Sequence, residues 1–192
     1  MGTLLRLSRL IDGLSRLVGK TTLWLVLAAS LISAANAVMR KAYNISSNAY
    51  LEIQWYLFAG VFLLGAGYVL MQNAHVRIDV VANKLKMRTR ILIDIIGIVV
   101  FLLPMCWFMI EFSWPLVRNA FVSGEVSSNA GGLIRWPVYA MVPTGFALLA
   151  LQAVSELIKR VAFLRGLAPN PLLRGGHDTG AAEHAAEGEA HK

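Results

Sequence analysis

Two stretches of this 192-residue chain carry no charge over the width of a bilayer: residues 21–39 and residues 53–74. Two more come close. Residues 91–112 hold only Asp94 and Glu111, one near each end, and residues 134–155 hold only Arg135 at their start and no other charge. A hydrocarbon core takes about 20 helical residues to cross. Inside it the backbone must satisfy its own donors and acceptors, so only helices or a closed barrel can span. No apolar-polar alternation of the barrel kind is present, and the pattern predicts four transmembrane helices over about 21–39, 53–74, 91–112 and 134–155. Pro104 in the third removes a backbone donor and predicts a kink. Pro137 opens the fourth and Pro143 lies further in.

Ahead of the first span the pattern changes. Leu4, Leu7, Leu10, Ile11, Leu14, Leu17 and Val18 recur at helical spacing, with Arg6, Arg9, Asp12, Ser15 and Arg16 over much of the other face. Residues 1–20 therefore predict an amphipathic helix on the membrane surface. From Leu167 onward the chain turns rich in Pro, Gly, Ala, Glu and His, with almost no large apolar side chain after Leu173, and residues 166–192 predict a disordered cytoplasmic tail. The fold class is thus all-α integral membrane, with a surface helix, a four-helix domain over residues 21–165 and a tail.

Composition agrees: 57% hydrophobic and 15% charged residues, against roughly 25% charged in soluble domains. The net charge of +7 sits between apolar runs and is not interleaved with aromatics, which argues against a nucleic-acid groove. It does orient the chain. Arg6, Arg9, Arg16 and Lys20, then Arg77, Lys84, Lys86, Arg88 and Arg90, then Lys159, Arg160, Arg165, Arg174 and Lys192 fall on one side; Arg40, Lys41, Arg118 and Arg135 fall on the other. The positive-inside rule puts both termini in the cytoplasm. A second reading of the start is a signal peptide cleaved after Ala37, leaving three spans. The length and amphipathicity of the leading segment favour retention.

Candidate chemistry is sparse. Charges within a membrane are costly, so Asp94 and Glu111 are the first residues to consider for ion handling. Asp94 stands one turn from Arg90 and Glu111 can reach the opposite headgroups, which favours plain interfacial roles. Cys106 is alone in an apolar run, so no disulfide or thiolate cluster can form within one chain. His177, His184 and His191 lie in the tail, where nothing preorganises a metal site. No nucleophile elbow, phosphate loop or HExxH motif occurs, and the sequon at Asn44 carries little meaning. No cofactor and no catalytic residue is expected. What the chain does offer is small residues at helical spacing for close helix packing: Ala29, Ser33 and Ala37, then Gly60 and Gly67. Trp55, Tyr56, Trp136 and Tyr139 mark the outer interface. Unexplained by spanning alone are Glu52 with Gln54, and the run His75, Val76, Arg77, Ile78, Asp79, in which Asp79 could cap a short helix over residues 80–87.

Those residues carry a resemblance. Glu52, Ile53, Gln54, then Tyr56, Leu57, Phe58, Ala59, with Gly65, Ala66, Gly67, Tyr68 and His75 to Val80, resemble the small permease subunit of tripartite ATP-independent periplasmic (TRAP) transporters. Gly124, Glu125, Val126, Ser127, followed by Gly131, Gly132 and Trp136, are similar to that family's loop before its last span. The likeness covers about residues 20–165. It implies an inner-membrane complex with a large multi-span permease, which carries the substrate and sodium sites, and a periplasmic substrate-binding protein. It also implies a non-catalytic scaffold role here, and a cargo such as a C4-dicarboxylate. Glu125 and Ser127 would meet the binding protein, and Arg77 and Asp79 would act on the inner side. The alternatives are a self-sufficient homo-oligomeric channel or carrier and, with no catalytic constellation to support it, a membrane enzyme.

Overall fold

The computed structural model describes residues 2–43, 48–72, 87–129 and 131–167. Among them, helix α1 runs over Gly2–Tyr43, α2 over Asn48–Met71, α3 over Met87–Ile96 and α4 over Leu103–Ser123, with a π-helical stretch Gly97–Leu102 joining α3 to α4; α5 covers Trp136–Leu164. Four helical units, Gly2–Tyr43, Asn48–Met71, Met87–Ser123 and Trp136–Leu164, are long and apolar enough to cross a membrane. The only β pairing among the described residues is a single antiparallel bridge, Val126 to Ile134.

The separate surface helix is not seen. Residues 2–43 form one 42-residue helix, about 63 Å long at 1.5 Å per residue, roughly twice the hydrocarbon thickness of about 30 Å. The reason is local. No proline interrupts the segment, and at the expected break Thr21 and Thr22 turn their hydroxyls back onto the carbonyls of Leu17 and Gly19, at 3.0 and 2.7 Å. Bonding of this kind lets polar residues sit mid-helix without competing for the ladder.

The break in the third span lies just before Pro104. In a regular α-helix the amide of residue 104 would bond to the carbonyl of residue 100, and proline has no such donor. The chain widens there instead: the Leu103 amide reaches the Ile98 carbonyl, five residues back, which is a π turn.

Helix α5 is the centre, packing on α1, α2, α3 and α4. Contacts set the directions. Gly60 of α2 faces both Leu25 of α1 and Met141 of α5, and Gly67 faces Leu148, so α2 runs antiparallel to α1 and parallel to α5. The bundle is up-down-up-down, with the start of α1 and the finish of α5 at one end, here the basic end, and the 124–135 loop at the other. Buried side chains are mostly small or of modest size (Ala29, Cys106, Ala120, Ala153, Ala162), while Trp24, Phe62, Trp107 and Phe112 face outward. In lipid, close backbone approach holds helices together and large apolar groups lose nothing by facing out. Gly145 makes the closest such approach: a Cβ there would lie 2.6 Å from the Leu63 carbonyl oxygen.

Candidate functional site

Two polar clusters stand at opposite ends of the bundle. At the loop end, α4 stops at Gly124, whose φ of 62° closes the helix in the left-handed region that glycine enters without a Cβ penalty. The chain then doubles back on itself: the Ser127 amide bonds to the Leu133 carbonyl at 2.9 Å, and the Arg135 amide to the Glu125 carbonyl at 3.0 Å. Into this loop projects Glu52 from the first turns of α2, buried at 5% exposure. It accepts the Ser127 hydroxyl, the Asn129 side-chain amide at 2.6 Å and the Leu133 backbone amide at 2.8 Å. Three converging donors are what an ionised carboxylate requires and a protonated one cannot fully use.

Beside it Arg135 holds Glu125 at 3.1 Å and the Tyr139 hydroxyl at 3.4 Å. The Tyr139 hydroxyl and the Glu125 carboxylate both accept from it and so favour its charged form. Tyr56 reaches the Ile134 carbonyl at 3.3 Å, and Phe121 meets Trp136 edge to face with centroids 5.5 Å apart. A cavity of about 380 Å³ opens among these groups, lined in part by Trp55, Tyr56, Arg135 and Tyr139. The lone pairs of Glu52 face donors from the loop, so the carboxylate braces it.

The basic end was not foreseen as a site. Ser8, Asp12 and Ser15 line one side of α1 and are buried against Gln152, Ser155, Glu156, Lys159 and Arg160 of α5. Asp12 accepts Gln152 at 3.0 Å, Ser155 at 2.8 Å and the Lys159 ammonium at 3.1 and 3.2 Å. Ser15 donates to Gln152 at 2.7 Å, and the Ser8 and Ser155 hydroxyls meet at 2.8 Å. Glu156 pairs with Lys159 and, at 2.6 Å, with Arg160, whose Nε reaches Asp94 at 3.3 Å. Each carboxylate thus faces a cation. Asp12 and Ser15, read from the periodicity as part of an outward polar face, point inward; Leu4, Leu7, Leu10, Leu14 and Leu17 are exposed instead.

The structure places the remaining sequence candidates as follows. Glu52, Glu125 and Ser127 come together in the loop cluster, whereas Gln54 turns toward α1. Gly60 and Gly67 stand at helix contacts and Ala29 is buried, while Ser33 and Ala37 line an open groove. Glu111 is exposed on α4. His75, Arg77 and Asp79, the short helix Asp79 would cap, residues 73–74 and the tail from residue 168 lie outside the described residues. No group of three or more His, Cys, Asp or Glu placed to hold a metal occurs among the described residues.

Four helices long and apolar enough to span, with a cluster of paired buried charges at one end, define a multi-span membrane protein. The match to known families makes it particular. Residues 29–163 match the DctQ component of tripartite ATP-independent periplasmic transporters, and the chain belongs to that family, a small membrane component of TRAP transporters. No curated protein and no solved structure matches the chain.

Proposed function

We propose that this chain is a non-catalytic brace for the large permease subunit of a TRAP-type importer, and that the permease takes up an organic acid such as a C4-dicarboxylate on a sodium gradient. The observation that carries the reading is the closure of the buried charges at the basic end on one another. Asp12, Glu156 and Asp94 all face Lys159 or Arg160, an arrangement that favours rigidity over passage of an ion. The outward surface is broad and apolar, suited to lipid and to partner helices. The chain sits in the inner membrane with the basic end in the cytoplasm and the loop end in the periplasm. There Glu125 and Ser127 meet the substrate-binding protein. The exposed leucines of residues 4–17 lie along the cytoplasmic lipid boundary.

Co-expression with the large permease of a TRAP transporter from the same source tests this. The two should co-purify, and deletion of the small subunit should abolish uptake. A chain that stays monodisperse alone while its deletion leaves uptake intact would sink the reading, and flux through liposomes containing only this chain would replace it with a self-sufficient carrier.

A further inference from the structure

Between α1 and α2, toward the loop end, runs a groove that nothing among the described residues fills. Its first part, about 450 Å³, is lined by Ala29, Ser30, Ser33, Ala34, Ala37 and Phe58. Its second, about 490 Å³, shares Ser33 and Ala37 and adds Asn36, Arg40, Lys41, Leu51 and Gln54. Small residues line the floor, so a second backbone can approach closely. Two buried side-chain atoms in the second part have no hydrogen-bond partner among the described residues, Asn36 Oδ1 and Gln54 Nε2. One is an acceptor and the other a donor. Groups of this kind are rarely left unsatisfied in a finished structure. At the mouth stand Arg40 and Lys41, both exposed and unpaired with any carboxylate among the described residues.

We infer that this groove is the seat of a membrane-spanning helix from another subunit, carrying an amide or hydroxyl side chain at the depth of Asn36 and Gln54 and a carboxylate near Arg40 and Lys41. An acyl chain would fit the small residues but would leave both amides without partners. A polar side chain supplies a donor and an acceptor together, and a soft rotation of the terminal amide torsions aims the two orphaned atoms at it. The carboxylate answers the two cations at the water-facing rim. The inference rests on the proposed function, in that the helix belongs to the large permease.

The test uses the co-expressed complex. A benzophenone side chain placed at Leu51, on the rim of the groove, should on irradiation give an adduct with the mass of this chain plus the large permease. An adduct with a second copy, an adduct with lipid alone, or no adduct would overturn the assignment. Ala37→Phe, and separately Asn36→Leu with Gln54→Leu, should lower the co-purified permease about tenfold or more, the equivalent of one lost favourable contact. The paired leucines also remove two unsatisfied buried atoms, so the isolated chain should be no less stable than before. A merely structural role for these amides predicts the reverse, a weaker chain. Phe101→Ala, on an exposed face of the third span away from the groove, should leave co-purification unchanged. If the wild-type chain holds the permease and both groove variants hold it equally well, the groove assignment falls and the bracing role stands. If the wild-type chain does not hold it at all, both fall.

Discussion

Lys159 and Asp12 lie 147 residues apart in sequence, and the lysine Nζ stands 3.1 Å from the aspartate Oδ1. Both side chains are about nine-tenths buried. The pair ties the leading part of the 42-residue α1 to the far end of α5, and with Ser8–Ser155 and Ser15–Gln152 it sets the register between the two helices.

Breaking one side of that pair should be costly. Asp12→Ala takes one of two carboxylate partners from the Lys159 ammonium, leaving it Glu156, and removes the acceptor used by Gln152 and Ser155; loss of one partner in a buried pair costs up to about 3–5 kcal/mol. Unfolding in detergent micelles should show a drop of that order. Asp12→Leu combined with Lys159→Leu should recover part of it, because the lysine no longer needs a partner and Glu156 keeps Arg160. A double variant as unstable as the single one would mean that the pair is not what holds α1 to α5.

The loop cluster predicts a local effect. Glu52→Gln keeps the size of the side chain but leaves one oxygen to serve donors that now use two. Hydrogen exchange at the Leu133 amide should accelerate markedly, while amides in the middle of α5 keep their protection. Unchanged exchange at Leu133 would show that the carboxylate does not hold the loop.

Some of this architecture was legible in the chain. Runs free of charge mark the spans because a bilayer penalises every unpaired charge in the same way, wherever it falls, and Pro104 announced a defect whose form, a π turn, depends on how the neighbouring carbonyls are retaken. The basic cluster was not read, because its bonds join residues 8–15 to residues 152–160 and helical periodicity is blind to such pairings. A signal was present nonetheless. Ser8, Asp12 and Ser15 recur every three or four positions as a polar stripe, and Gln152, Ser155, Glu156 and Lys159 repeat the same spacing. Two matching polar stripes on apolar helices mark a contact. The surface-helix reading assigned the first of them to water. In the loop, Glu52 and Ser127 were each singled out by local sequence, but nothing local tells that they meet.

Helix proximity gives a graded pair of substitutions. A Cβ at residue 145 would lie 2.6 Å from the Leu63 carbonyl oxygen, whereas one at residue 67 would lie 3.3 Å from that of Leu148. Backbone cannot move aside as a side chain can, so Gly145→Ala must push α2 and α5 apart, at about 1–3 kcal/mol. Gly67→Ala should cost clearly less. Thermal unfolding of the two variants in the same detergent checks the order, and equal effects would mean that the two helices are not this close at Gly145.

Orientation can be read directly. Of the eighteen Lys and Arg residues, the sequence pattern assigns fourteen to the side of the basic end and four to that of the loop end, a bias that predicts the basic end inside. Two exposed positions report on the two ends: Ser128 in the loop and Gly13 on α1, where a side chain meets open space. Cys106, the chain's one native cysteine, is buried and can be replaced as Cys106→Ser to remove background. In intact spheroplasts, an impermeant thiol reagent should label Ser128→Cys and spare Gly13→Cys until the membrane is permeabilised. The opposite pattern would invert the bundle, and would move the Glu52 loop away from any periplasmic partner and toward the cytoplasm.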